Sequence, residues 1–176
     1  DTPRAINALL DPRDGERAEL AKRQFSDAEL SRGKELLRMA AFLQFTLPGI
    51  ACVYYGDEAG MEGFEDPMNR QGFPWGREDQ RLLTLYRTLG RLRKERESLQ
   101  SGGLTYLTAE GGLLLFCRTA GGERTYTALN TGDTPRDVTL PWPNGFAVDA
   151  VTLQRFWVRD GMLRLTLPPC DGVILV

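Results

Sequence analysis

The residues in this chain best suited to chemistry at a site are carboxylates and arginines, and the sequence contains no histidine. That excludes Ser-His-Asp and Cys-His catalysis and every His-ligated metal site. The cysteines are Cys52, Cys117 and Cys170, with no Cys-x-x-Cys spacing for a thiolate site. Three widely spaced thiols lead us to expect reduced, buried side chains in a reducing compartment, which favours a cytoplasmic location. The spacing leaves one disulfide among them open. The residues best suited to meet a ligand fall between Asp57 and Arg77, a stretch dense in glycine, proline and acids. A loop of that length is commonly functional or disordered. Within it Asp66 and Arg70 stand four apart, which suits either a local ion pair or two ligand contacts. Asp57 and Glu58 either cap the turn that precedes them or face into the same site.

The charge balance narrows the partners. Lys+Arg is 22 and Asp+Glu is 24, a net charge of −2. A nucleic-acid surface needs a basic excess, so none is expected. Arg81, Arg87, Arg91, Arg93, Lys94 and Arg96 cluster, but Glu95 and Glu97 interleave them, as on a solvated helix face. Hydrophobic residues are 41% of the chain, a globular proportion. No apolar run approaches the ~20 residues of a membrane span, so no membrane partner is expected.

The elements that must position these groups change character along the chain. Val, Ile and Thr number 7 in residues 1–100 and 17 in residues 101–176, while charged residues fall from 33 to 13. Charged, leucine-rich sequence favours helix and β-branched sequence favours strand. A boundary is therefore expected between Leu99 and Leu104, with Ser101-Gly102-Gly103 as a flexible joint. In the first part, Pro3–Leu10 is a short segment followed by a polar stretch, Asp11–Gly15. Ser26-Asp27-Ala28-Glu29 has the form of a capping box, and the helix it opens ends at Pro48-Gly49. Ile50–Tyr55 is a continuous apolar run closed by Gly56, which predicts a strand buried on both faces. A second helix is predicted from Glu78-Asp79, with Leu82, Leu85, Tyr86, Leu89 and Leu92 as its apolar stripe. One parallel strand is not a sheet, so residues 1–99 read as the end of a larger α/β domain. In the second part, short strands are predicted at 104–108, 113–119, 125–130, 136–140, 146–152, 162–167 and 172–176. Glycine-rich turns separate them, as in an antiparallel sandwich. Trp142 and Trp157, on that sandwich, are expected to pack rather than to bind.

Asp1-Thr2-Pro3-Arg4, then Pro48-Gly49-Ile50-Ala51-Cys52-Val53-Tyr54-Tyr55-Gly56-Asp57-Glu58 with Ala59-Gly60-Met61-Glu62-Gly63, then Asp66-Pro67-Met68-Asn69-Arg70 with Phe73-Pro74-Trp75, together carry a resemblance. In order and spacing they resemble the α-amylase superfamily of retaining glycoside hydrolases, and within it the neopullulanase, cyclomaltodextrinase and maltogenic amylase group. The resemblance implies an α+β fragment. Residues 1–99 would be the last βα segment of a (β/α)₈ barrel, with Ile50–Tyr55 as strand eight. Residues 100–176 would be the C-terminal antiparallel β-sandwich. It also implies roles. Asp1 matches the catalytic aspartate that stabilises the transition state without attacking. Asp66 and Arg70 match positions touching the donor side of a bound glucan. Tyr55 and Trp75 would offer aromatic faces to sugars, although Trp75 between Pro74 and Gly76 also suits a loop anchor.

Retaining chemistry needs a nucleophile and an acid/base roughly 5–5.5 Å apart. The resemblance implies that both lie upstream of residue 1, so this chain by itself is expected to be inactive. No cofactor is expected in the segment, and calcium in a longer protein is left open. The expected partner is an α-glucan oligosaccharide such as a malto-oligosaccharide or cyclodextrin, and the unpaired strand is expected either to drive self-association or to be poorly ordered. The alternative reading is a carbohydrate-binding or structural β-sandwich without catalysis.

Overall fold

The computed structural model describes residues 2–10, 19, 23–64, 66–143 and 145–176. The chain falls into two compact units, residues 1–40 with 52–87, and residues 41–51 with 88–176. The polar stretch Asp11–Gly15 lies outside the described residues.

The first unit contains helix α1 (Ala5–Leu10) and most of helix α2 (Asp27–Thr46). The capping box forms: Glu29 Oε2 accepts from the Ser26 main-chain N–H at 2.8 Å, and Ser26 Oγ accepts from the Glu29 N–H at 3.3 Å. Ile6, Leu37 and Leu82 make a small core. Gly33 permits it, since a Cβ there would stand 2.6 Å from Leu10 Cδ1. Helix α3 (Gln80–Glu95) begins one residue beyond Asp79, whose Oδ1 accepts from the N–H groups of Arg81 and Leu82.

Ile50–Tyr55 departs from expectation, for it forms no strand. Ile50 is 97% exposed, and Tyr54 and Tyr55 are half exposed. An apolar run becomes a doubly buried strand only where neighbouring strands supply hydrogen bonds. Among the described residues no strand pairs with this segment.

Among the described residues the second unit holds α4 (Glu97–Gln100) and eight antiparallel strands. They are β1 (Gly103–Glu110), β2 (Leu113–Ala120), β3 (Glu123–Asn130), β4 (Arg136–Pro141), β5 (Phe146–Val148), β6 (Arg155–Trp157), β7 (Met162–Leu167) and β8 (Asp171–Leu175). Sheet order is β1-β2-β3-β8, with separate β4–β7 and β5–β6 pairs. One core joins all three: Leu115, Tyr126, Val138, Ala147, Leu163 and Val173 are among its buried members. β8 ends the four-stranded order, yet Val173, Ile174 and Leu175 are buried. Its free edge is occupied, because Ala150 N–H donates to Ile174 O and Val148 and Val176 exchange main-chain bonds.

The predicted strand 146–152 stops early. Asp149 is buried, and its carboxylate accepts from the N–H groups of Val151, Thr152 and Ile174. This turns the chain and opens β6, which periodicity missed because it is only three residues long.

Candidate functional site

The 57–77 loop is fastened to the start of the chain by main-chain and amide bonds. Gly63 N–H donates to Asn7 Oδ1 at 2.7 Å, Arg4 N–H donates to Gly63 O at 2.8 Å, and Asn69 Nδ2 donates to Thr2 O at 2.9 Å. Gly63 is required by close approach: a Cβ there would stand 2.3 Å from the Met68 carbonyl oxygen. Met61, Phe64 and Asn69 are buried and fix the frame of the loop.

Arg4 organises the turn at 54–57. It is 1% exposed, donates to Tyr55 O at 2.6 Å, and lies 3.6 Å from Asp57 Oδ1. Its guanidinium sits 4.9 Å from the Tyr54 ring centroid and 4.7 Å from that of Tyr55. Among the described residues its Nε and Nη2 have no partner, and neither does Asp57 Oδ1 within hydrogen-bond reach. Burial raises the Asp57 carboxyl above its ordinary value, with Arg4 opposing and Glu58 adding to the rise. Glu58 is turned inward, accepting from Gly56 N–H at 2.8 Å, which is the turn-capping role. Burial, and after it the nearby carboxylates of Asp57 and Glu58, raises the Tyr86 phenol.

The outer side chains carry the residues read from the motifs. Asp66 Oδ1 and Arg70 Nε are 3.4 Å apart and both remain exposed to solvent. Tyr55 donates its phenol to Gln71 O at 3.0 Å, which ties the turn to the far end of the loop. Trp75 is 80% exposed and lies against Phe73, with centroids 4.6 Å apart. Asp66 and Arg70 are therefore together, Tyr55 is joined to the same loop, and Trp75 pairs with Phe73 instead. Asp1 lies outside the described residues.

Sequence reasoning missed the structural part of Arg4, Asn7 and Asn69. Arg4 and Asn69 stand inside the quoted motifs, but nothing in their spacing shows what they touch. Trp157 is 67% exposed and outside the core, and packs at the edge against Phe146 with centroids 5.4 Å apart. Trp142 packs beside Tyr126 at 5.3 Å, as expected. Cys117 and Cys170 are buried, as expected, whereas Cys52 is exposed, which corrects the expectation of three buried thiols. No group of three or more His, Cys, Asp or Glu among the described residues could hold a metal ion. No helix of the described residues is long and apolar enough to cross a membrane.

No family model matches the chain. It is 35% identical over 168 residues to an amylopullulanase of Thermoanaerobacter thermohydrosulfuricus, covering 87% of this chain and 11% of the relative. It is 32% identical over 145 residues to neopullulanase 2 of Thermoactinomyces vulgaris, covering 78% of this chain and 25% of the relative. The solved structure of the Geobacillus thermoleovorans α-amylase complexed with acarbose superposes with a TM-score of 0.77 at 24% identity, over 99% of this chain and 36% of that one. The chain thus spans a minor part of the length of each of these proteins. The structural likeness bears on the fold alone, and the sequence relatives carry the ancestry. The homologues of this chain are enzymes of the amylopullulanase, neopullulanase and cyclomaltodextrinase kinds, and the chain belongs to the α-amylase superfamily.

Proposed function

We propose that the chain is the C-terminal portion of a retaining α-glucan hydrolase that cleaves α-1,4 bonds of malto-oligosaccharides or cyclodextrins. On this reading residues 1–99 close a (β/α)₈ barrel and residues 100–176 form its β-sandwich. The observation that carries it is the 35% identity to an amylopullulanase over 87% of the chain. The loop lends support. Active sites of such barrels sit in the loops that follow the strands, and 57–77 follows the segment assigned to strand eight. Inside the barrel, Ile50–Tyr55 would gain the strand partners it lacks among the described residues.

The division of labour follows from the chemistry. The covalent step belongs to two carboxylates on earlier strands, roughly 5–5.5 Å apart. Asp1 would hold sugar hydroxyls as positive charge develops on the ring. Arg70, a planar fork of donors, would bond hydroxyls on the donor side, with Asp66 orienting it. Tyr55 and Trp75 would present ring faces to the glucan. The 176 residues alone would not turn over substrate, and the uncovered 50–55 segment would favour self-association.

The test compares this chain with the same chain preceded by its own upstream coding sequence, using maltoheptaose and β-cyclodextrin as substrates. Hydrolysis by the longer protein only, with the α-anomer released first by NMR, is the expected result. Turnover by the 176 residues alone, or release of the β-anomer, overturns the reading.

A further inference from the structure

Strands β5 and β6 place Phe146 directly opposite Trp157, and Val148 opposite Arg155. Side chains alternate across the ladder. Ala147 is fully buried and Phe156 packs on the core, so the inward positions do the folding. The outward face therefore carries Phe146, Val148, Arg155 and Trp157. The Phe146 and Trp157 rings meet edge to face with centroids 5.4 Å apart. The Arg155 guanidinium lies 4.7 Å from the Phe146 centroid. An edge-to-face pair leaves a ring face open, and Trp157 is 67% exposed. Nothing in the core calls for an indole at this position.

The face does not end at the ladder. Val148 also lines an open groove of about 430 Å³, together with Leu153, Arg91, Glu95, Arg96 and Glu123. Arg96 and Glu123 are engaged with each other at 3.6 Å. Leu153, 73% exposed, sits at a positive φ of 63°, held by the turn that Asp149 makes. The result is an aromatic shelf with an arginine over one of its rings, continuing into a groove with charged walls.

We propose that this shelf and groove form a non-catalytic binding site for linear α-1,4-glucan. The proposal rests on the α-glucan reading above for the identity of the sugar. The chemistry of the surface is what fits it to a sugar at all. A pyranose ring has apolar C–H faces and a rim of hydroxyls. An open indole face takes the former, and a guanidinium already ordered by stacking donates to the latter at small entropic cost. Two residues along a strand span roughly 7 Å, enough for one glucose to lie across Trp157 and the next to reach Arg155. The charged walls of the groove would take hydroxyls of further units. Such a site would hold a long glucan near the enzyme and raise its effective concentration.

The experiment is calorimetric titration of the 176-residue chain with maltoheptaose, and with cellohexaose for comparison, in Trp157→Ala, Arg155→Ala and Trp75→Ala variants. Maltoheptaose should bind the unaltered chain. Trp157→Ala should weaken it by about tenfold or more while leaving the melting temperature unchanged. Arg155→Ala should weaken it by a smaller factor, and Trp157→Ala should weaken it as much in the Trp75→Ala background as in the unaltered chain, which separates the shelf from any contact at the loop. Failure of the unaltered chain to bind maltoheptaose, while the longer protein hydrolyses it, overturns this site and leaves the hydrolase reading intact. Preference for cellohexaose, still dependent on Trp157, overturns the α-glucan assignment here. Binding lost in Trp75→Ala and kept in Trp157→Ala places the sugar on the loop and overturns the proposal. So does a Trp157-dependent dimer in sedimentation, which would make the shelf an interface between copies.

Discussion

Two arginines in this molecule are equally buried, and they are treated differently. Arg118 on β2 and Arg4 ahead of α1 are each 1% exposed. Arg118 donates from Nε and Nη2 to Gly102 O at 3.1 and 2.8 Å and from Nη1 to Thr46 O at 2.7 Å. Its charge is spread over carbonyl dipoles that would otherwise be unpaired. Arg4 donates once to a carbonyl, stacks on two tyrosines, and leaves Nε and Nη2 without partners. The sheet unit satisfies the Arg118 guanidinium fully, although Thr127 Oγ1 and Arg136 Nε elsewhere in it find no partner among the described residues. The unit with the 57–77 loop leaves three polar atoms around Arg4 and Asp57 unsatisfied. Unpaired buried polar groups are costly, and where a structure keeps them they invite explanation. What sets the two arginines apart is therefore how completely each guanidinium is bonded, with the incomplete one lying next to the loop of candidate ligand contacts.

Substitutions should separate the two regions. The largest effect is expected for Arg118→Ala. It removes three charge-assisted bonds and strands the carbonyls of Gly102 and Thr46. At roughly 1.5–3 kcal/mol per charged bond, less what water recovers, the loss should be about 3–5 kcal/mol. Equilibrium urea unfolding of the second unit measures it. A loss below about 1 kcal/mol would mean that water replaces the guanidinium without penalty and would break the contrast. Ile174→Ala, at a position fully buried in β8, should cost about 2–5 kcal/mol by the same measurement.

Arg4→Met should cost less than Arg118→Ala. It frees two donors that bond nothing and keeps much of the packing on Tyr54 and Tyr55. The penalty that remains is an Asp57 carboxylate without its cation, so Arg4→Met with Asp57→Asn should recover most of the loss. A double variant no more stable than Arg4→Met alone would show that the pair contributes little and that Arg4 acts through Tyr55 O.

The same contrast has a pH signature of opposite sign. Burial raises the Asp57 carboxyl, so the folded state binds that proton more tightly than the unfolded chain does. Its contribution falls as pH rises from the ordinary carboxylate range through the raised value. Glu123 behaves the other way. Burial pushes its carboxyl up, but bonds from the Ser98 hydroxyl and N–H, with Arg96 nearby, outweigh this and lower it. Its stabilisation is present above the ordinary value and lost as pH falls through the lowered one. Melting temperature against pH should therefore lose its acid-side fall in part in Glu123→Gln, and should rise at neutral pH in Asp57→Asn. Identical profiles for the two variants would contradict the assignment.

How much of this was legible in the sequence depends on what each residue reports. The capping box at Ser26 and the strands around Leu163, Leu165 and Leu167 could be read, because spacing alone sets their faces. Arg118 could not, since an arginine at the end of an apolar strand run looks like an outward residue until its carbonyl partners are placed. Ile50–Tyr55 was misread for a related reason. A buried strand is a property of its neighbours, and the run of apolar residues states only that it could be one. Strand β6 was too short for a period. In the loop, the Asp66–Arg70 pair followed from spacing four, while the anchoring of Gly63 by Asn7 needed residues 56 apart to meet.

The smallest effect on stability, and the one that bears most on function, is expected for Arg70→Ala. Both partners of the Asp66–Arg70 pair are well exposed, at 39% and 57% of their side chains. Such a pair contributes about 0–1 kcal/mol, because water competes for both charges and holding two side chains costs entropy. The loop frame is secured elsewhere, by Asn7, Asn69, Gly63 and the Tyr55 phenol, so removing Arg70 should leave the melting temperature nearly unchanged. If Arg70 faces glucan as we propose, it bonds a hydroxyl as a charged donor, an interaction of roughly 1.5–3 kcal/mol. In the longer protein, kcat/KM for maltoheptaose should then fall by about ten- to a hundred-fold, with a smaller fall for maltotriose, which reaches fewer donor-side contacts. Asp66→Asn should reproduce part of that fall by loosening the guanidinium without removing it. A lower melting temperature with unchanged kinetics would make the pair a clamp of the loop, and the loop unit would then resemble the sheet unit after all.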